Sequence, residues 1–542
     1  MAHVIRQPCE EGVIRSTGAT AACAPNAAPW VLAATILGSS MAFIDETALP
    51  VALPAIQEAL GATAVDAQWV VAAYTLFLAS LVLIGGSLGD HLGRRRVFSI
   101  GVVLFALASV WCGLSQSPEQ LIVARVIQGV GAALLVPNSL AIIGASFEEE
   151  RRGKAIGTWT SLTSVTLILG PVLGGYLAEN VSWRGVFFIN IPLAVVILAI
   201  TRSHVPESRD PDARRLDLPG AALVAVGLGG LVFGLLESSR SGLMNPLIVG
   251  ALILGVVALG AFLVVEGRRR EPMMPLSLFR SRNFTGANTF TLLLYFALVG
   301  TMFFLPFNLI WVQGYTATAA GAAIVPAILI MSLLSRYTGG LTDRYGPRLP
   351  LVLGPAIAAL GFLLFVVPGA ESGPYWTTFF PAAVVLGVGL SILVPAVTTA
   401  ALNSVDVRHT GLASAINNTF SQTAGLLAVA VLGVLMFVSF SSSLDGRLAA
   451  LDLPPEARQQ LEEEKVKLGA APVPESLDAA SGGAVEQAID EAFVSGYRTV
   501  MLVAAATAVA SAISAALLIE GKKPKRMTEE VPEGVSPRPL DV

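Results

Sequence analysis

Charge is scarce in this chain. Of its 542 residues, 13% are Asp, Glu, Lys or Arg, against roughly 25% in a soluble domain. Aromatic residues are few as well, at 7%. The three cysteines, Cys9, Cys23 and Cys112, give neither a disulfide framework nor a metal-ligand spacing. Four histidines leave little material for a hydrolytic or metal-dependent centre, so an enzyme is not expected. There is no phosphate-cradling glycine loop, which argues against direct drive by ATP. Residues 1–29 hold Arg6 and Arg15 but no apolar run with a cleavage site, so no secretory leader is expected there.

What fills the chain instead is apolar. Hydrophobic residues make up 54%, and the mean hydropathy is +0.71. Apolar stretches of about 20 residues, the length that crosses about 30 Å of hydrocarbon, recur from residues 30–50 to 497–519. Counting them predicts an all-α polytopic membrane protein with about 14 spans. Most of the Lys and Arg fall in alternate loops: Arg94, Arg95 and Arg96; Arg151, Arg152 and Lys154; Arg202 to Arg215; Arg268 to Arg282; Arg344 and Arg348; Arg408. Positive loops face the cytoplasm, which places both termini there and loop 441–496 outside. That loop is either a small amphipathic cap, from its helix-prone run after Pro455, or a solvated connection.

The organising stretch is Ala42-Phe43-Ile44-Asp45-Glu46-Thr47. Its two carboxylates sit in an otherwise apolar segment, and ionisable groups at membrane depth mark transport paths and proton sites. Pro50 and Pro54 follow, and Pro50 deprives the Glu46 carbonyl of its helical donor. Irregular backbone lining an aqueous cavity is therefore expected over residues 42–54. Arg125 is the other deep charge. Asp45 lies 15 residues beyond Trp30, about 22 Å at roughly 1.5 Å per residue. Arg125 enters from the opposite face and reaches a similar depth, so the two can meet.

The chain also repeats itself. Gly129-Val130-Gly131 through Pro137 recurs as Gly387-Val388-Gly389 through Pro395, and Gly89-Asp90 through Arg94 recurs around Asp343 and Arg348. Duplicated halves are a common build of secondary transporters. The charges are not duplicated: Arg125 and Gln128 correspond to Ala383 and Leu386, and Asp45 and Glu46 to Leu298 and Val299. Shared glycines then point to structure and unshared charges to function. Asp90 and Asp343 lie beside Arg94 and Arg348 at cytoplasmic helix ends, where they can pair when that side closes. Gly170-Pro171-Val172-Leu173-Gly174-Gly175 predicts a kink and a close helix contact. Ser414, Asn418 and Gln422 share one helical face, and Thr160, Thr163 and Ser164 form a milder stripe. Such groups either bond other helices or line a cavity. No partner is evident for Arg336.

Together these motifs resemble the major facilitator superfamily. Gly86-x-Leu-x-Asp90-His-x-Gly93-Arg94-Arg95 looks like its loop signature between the second and third helices. Arg125-x-x-Gln128-Gly129-x-Gly131 looks like the fourth-helix signature, and Gly170-Pro171-x-x-Gly174-Gly175 like the fifth-helix antiporter signature. With Asp45-x-Thr47 and Val51-Ala52-Leu53-Pro54, the pattern is similar to the 14-span drug:proton antiporters. It departs at Pro50, where that family usually has Asn, at Thr166, where Gly often stands, and at His91, where Arg is common.

The resemblance implies a six-helix bundle over 30–201, a linker with two inserted helices over 202–282, and a second bundle over 283–519, flanked by tails 1–29 and 520–542. It implies proton-driven export of drug-like or amphipathic molecules across a bacterial cytoplasmic membrane by alternating access. No cofactor or nucleic acid is then needed; the protein is expected to be monomeric, with a periplasmic adaptor protein as a candidate partner. Proton coupling would fall to Asp45, Glu46 and Arg125, with Asp45 the main carboxyl and Glu46 turned toward substrate or a neighbouring helix. Gln128, Asn138, Thr163, Asn418 and Gln422 would line the substrate cavity. Gly86, Asp90, Gly93, Arg94, Asp343 and Arg348 would gate, and Gly170, Pro171 and Gly174 would form the inter-bundle kink. An exporter of one metabolite, lipid precursor or siderophore has the same signature; a membrane-embedded enzyme or sensor is the remote alternative.

Overall fold

The computed structural model describes residues 27–210, 216–269, 272–371, 373–402 and 410–521. Arg408 and the outer portions of both tails lie outside them. Among the described residues the chain is helical, with no strand. In hydrocarbon only the helix satisfies its own backbone groups within one segment, and the apolar runs become helices, two of them in two pieces: Gly185–Phe188 with Asn190–His204, and Ala317–Ala322 with Val325–Tyr345.

The first half comprises α1 (Ala28–Leu60), α2 (Ala64–Leu92), α3 (Arg94–Leu114), α4 (Pro118–Ser146), α5 (Glu149–Asn180) and α6 (Asn190–His204). The inserted pair is α7 (Leu218–Ser241) and α8 (Pro246–Arg268). The second half comprises α9 (Arg282–Phe307), α10 (Val325–Tyr345), α11 (Arg348–Leu364), α12 (Phe380–Leu402), α13 (Thr410–Leu448) and α14 (Ala479–Leu518). Among the described residues thirteen helical segments, Gly185–His204 and Ala317–Thr342 each counted as one, are long and apolar enough to cross a membrane, and α11 is a shorter apolar helix. Two six-helix bundles plus two inserted helices is therefore the architecture.

Local chemistry sets many of the boundaries. Thr63 and Asp66 form a reciprocal capping box at the start of α2, satisfying donors that the helix itself leaves open. Ser117, Ser281 and Asp478 cap α4, α9 and α14. Gly61 ends α1 at φ +61°, a left-handed conformation that costs glycine little.

One expectation fails here. Helix α1 runs unbroken through Pro50 and Pro54, so residues 42–54 are not irregular. Most of them are buried, including Asp45, Ala48 and Leu53. The reason is packing: Gly170 and Gly174 let α5 lie directly on Thr47 and Ala48, where a Cβ at Gly174 would stand 2.5 Å from the Ala48 carbonyl oxygen. Contacts over that face hold the helix against the loss of single hydrogen bonds.

The repeated glycines do matching work in the two halves. A Cβ at Gly129 would press on the Tyr74 carbonyl and one at Gly131 on the Phe105 amide, so α4 sits against both α2 and α3. A Cβ at Gly387 would press on the Ala327 carbonyl and one at Gly389 on the Ala358 amide, so α12 sits against α10 and α11. The close contacts between halves gather at one end. There Gly175 meets Ala317, Gly321 meets Pro171, Gly433 meets Gln68, and the Thr318 amide donates to Glu179 at 2.9 Å. At the arginine-rich end, Thr160, Ser161, Tyr337 and Asn418 are exposed. The contacts seen between the halves are thus concentrated at one mouth.

The inserted pair lies across the seam. Val65, Ala72 and Leu76 of α2, Leu228, Val232 and Leu236 of α7, and Leu426 and Ala430 of α13 form one apolar cluster. Glu237 accepts from the Trp69 indole at 2.9 Å, and Arg240 pairs with Asp66 at 2.7 Å. The loop expected over 441–496 is shorter, because α13 runs on to Leu448 and α14 already starts at Ala479; the connection between them contains the short helix Pro455–Glu464 and a 3-10 turn Lys465–Ala470, and its Leu461 and Leu468 join the main core. It is a cap. Its buried Lys465 pairs with Asp445 and Glu462; burial lowers the Lys465 pKa, but those two partners outweigh it and hold it above the ordinary lysine value.

Candidate functional site

Asp45 and Arg125 meet. They form an ion pair deep in the first half, with Arg125 1% and Asp45 at most 1% exposed. A buried pair of this kind needs its remaining donors and acceptors filled to offset desolvation, and the neighbouring helices fill them. Arg125 Nε donates to the Val70 carbonyl at 3.0 Å, and Nη1 donates to Gln128 Oε1 at 2.7 Å. Gln128 Nε2 donates to Asp45 Oδ1 at 2.8 Å and to Ser109 Oγ at 3.0 Å. Asn190 Nδ2 reaches the same two oxygens at 3.3 Å. The guanidinium lies over the Tyr74 ring, 4.2 Å from its centroid. Five helices, α1 to α4 and α6, thus converge on one carboxylate and one guanidinium.

Glu46 differs from its neighbour. It is half-buried, and among the described residues no hydrogen bond or ion pair is seen at its carboxyl. Tyr74 and, from the second half, Tyr295 lie within electrostatic reach of it. The cluster therefore holds one saturated carboxylate and one open one.

The other candidates scatter. Gln128 belongs to the Asp45 network. Asn138 is fully buried and donates to the Gly85 and Leu134 carbonyls at 2.8 and 2.7 Å, which ties α4 to α2. Thr163 is 4% exposed and spends its hydroxyl on the Trp159 carbonyl at 2.7 Å. Asn418 is exposed and Gln422 half-buried on α13. Gly86 lies near Pro137. Asp90 and Arg94 pair at 2.7 Å within the first half, and Arg348 donates to the Ala516 carbonyl of α14. The Asp343 side chain lies outside the described residues. Gly170 and Gly174 face α1 in their own half, while Pro171 and Gly175 face the short helix Ala317–Ala322 across the interface. Gly93 turns at φ +110°, and a side chain there would strike the Glu207 carboxylate. Arg336 stacks on Tyr337.

Sequence reasoning passed over Asn190, Ser109, Tyr74 and Glu207. Asn190 carried a signal, an isolated amide inside the apolar run 183–201. Ser109 and Tyr74 look like ordinary membrane-helix residues until α2 and α3 are placed.

The arrangement matches known proteins. The family model of the Major Facilitator Superfamily covers residues 35–429. The chain belongs to that superfamily. Among its relatives, the tetracenomycin C resistance and export protein of Streptomyces glaucescens is 31% identical over 93% of this chain and 94% of its own length. The multidrug resistance protein Stp of Mycobacterium tuberculosis (strain ATCC 25618 / H37Rv) is 32% identical over 88% of this chain and 89% of its own. Among solved structures, a bacterial homolog of the human lysosomal transporter Spinster, inward-facing and unoccupied, aligns with TM-score 0.61 and 19% identity, covering 91% of this chain and 98% of that one. That likeness concerns the fold. Major facilitator proteins are membrane transporters, and two helical halves in contact mainly at one end suit that role.

Proposed function

We propose that this facilitator exports drug-like or amphipathic molecules across the cytoplasmic membrane in exchange for protons. The carrying observation is the contrast within one turn of α1. Asp45 already has Arg125, Gln128 and Asn190 as donors, so an incoming cation reaches only Glu46 without breaking that network. Proton and cationic substrate then compete for one carboxyl, and competition for a shared site is exchange. Asp45 and Arg125 hold the site open in a fixed geometry and complete the coupling group. The names of the relatives support drug export. The arginine-rich end is taken as cytoplasmic from the charge of its loops, and Asp90 with Arg94 would steady that mouth when it closes.

The test is substrate-induced proton release from purified protein, with a fluorescent lipophilic cation as probe. Glu46→Gln should lose both proton release and gradient-driven efflux of the cation while still binding a neutral substrate. Release equal to the parent's would overturn the assignment. Orientation has its own check. Cysteines placed singly at exposed Ser203 and Ser442, in a chain stripped of its own, should react with an impermeant reagent from opposite sides; labelling from one side would refute the topology.

A further inference from the structure

A second carboxyl cluster lies far from Asp45 in sequence, at the open end of the inserted hairpin. Asp217 caps the start of α7, and Glu266 sits in the last turn of α8. They are 5% and 2% exposed. Asp217 Oδ1 accepts from the Gly220 amide at 2.8 Å and pairs with Arg269. Glu266 Oε2 accepts from the Met274 amide at 3.1 Å. Asp217 Oδ2 and Glu266 Oε1, the remaining oxygens, are buried with no donor, and the two carboxyls are within hydrogen-bonding reach of each other. Among the described residues Arg269 is the cation seen at this site; Asp212, Arg214, Arg215, Arg270 and Glu271 lie outside them.

Among the described residues, two ionised carboxylates with one arginine on Asp217 leave a net negative charge out of water. That is costly. A single proton removes that charge and joins the two orphaned oxygens in one hydrogen bond. The helix ends decide which group carries it. The N-terminus of α7 favours negative charge on Asp217, and the C-terminus of α8 disfavours it on Glu266. We infer that Glu266 is a proton-binding site outside the transport path, which, when protonated, donates Oε1–H to Asp217 Oδ2 and clips the ends of α7 and α8 together. As pH on that side rises the proton leaves, the carboxylates repel, and the clip opens. Because α7 packs on both α2 and α13, the clip sets how firmly the hairpin braces the seam between the halves.

The experiment uses the full-length purified protein. Infrared difference spectra between acidic and alkaline pH should contain a protonated-carboxyl band that persists in Glu46→Gln and Asp45→Asn and disappears in Glu266→Gln. Glutamine supplies a permanent donor to Asp217, so this variant should keep the hairpin intact at every pH. Amide exchange over 272–276 is the second readout. At alkaline pH the parent should exchange faster than Glu266→Gln by roughly tenfold, the scale of one charge-assisted hydrogen bond. Glu266→Ala should exchange fast throughout. A parent that matches Glu266→Gln in band and in exchange at all pH values would overturn the inference. Loss of the band in Glu46→Gln instead would assign it to the transport site.

Discussion

In the first half Gly129 and Gly131 let α4 ride against α2 and α3, and in the second Gly387 and Gly389 do the same for α12 against α10 and α11. Beside the first pair stand Arg125 and Gln128, bonded to Asp45. Beside the second stand Ala383 and Leu386, both buried in the apolar core. A scaffold made by small residues repeats easily, because it asks only for room between backbones. A buried charge does not, because each one needs its own set of donors and acceptors. The second half has a lighter polar contact, Asn417 donating to Asn288 at 3.2 Å and Thr291 at 2.9 Å, with no ionised group in it. One half thus carries the buried ion pair, and the other packs an apolar surface at the corresponding place.

The largest effect should come from breaking the asymmetry. Arg125→Ala strands Asp45 without its cation, a loss of about 3–5 kcal/mol when one member of a buried pair is removed, and gradient-driven efflux should vanish. At the corresponding place in the second half, Leu386→Met conserves volume and should cost less than about 1.5 kcal/mol, with efflux near that of the parent. Melting in detergent and flux in proteoliposomes read both. Equal damage from the two would show that the charge is not what separates the halves.

A smaller effect should show the symmetry. A Cβ at Gly131 would stand 2.7 Å from the Phe105 amide nitrogen, and one at Gly389 2.6 Å from that of Ala358. Gly131→Ala and Gly389→Ala should therefore each cost about 1–3 kcal/mol of overpacking and lower the melting temperature alike. A gap of more than about 1 kcal/mol, beyond the usual error of additivity, would mean the two scaffolds are not equivalent.

Much of this was legible in the chain. The helices were, because hydrocarbon leaves an apolar run little choice of backbone. The repeat was, because glycine spacing is local. The meeting of Asp45 and Arg125 followed from depth alone, since two unpaired charges at one level in a bilayer seek each other. The cap over 441–496 was left open, because a polar helix gives no sign in sequence of whether its few apolar residues find a partner; Leu461 and Leu468 do.

The sequence by itself determined the membrane class, the duplicated halves and the placing of charge in one of them, since these depend on composition, spacing and rise per residue. Tertiary structure decided the rest. It kept α1 helical through Pro50 and Pro54, brought Asn190, Ser109 and Tyr74 around the ion pair, left Glu46 open beside a saturated Asp45, and set Glu266 against Asp217. Each of these depends on how a helix is turned about its own axis, and that angle is fixed by close packing among many neighbours at once, which no single segment encodes.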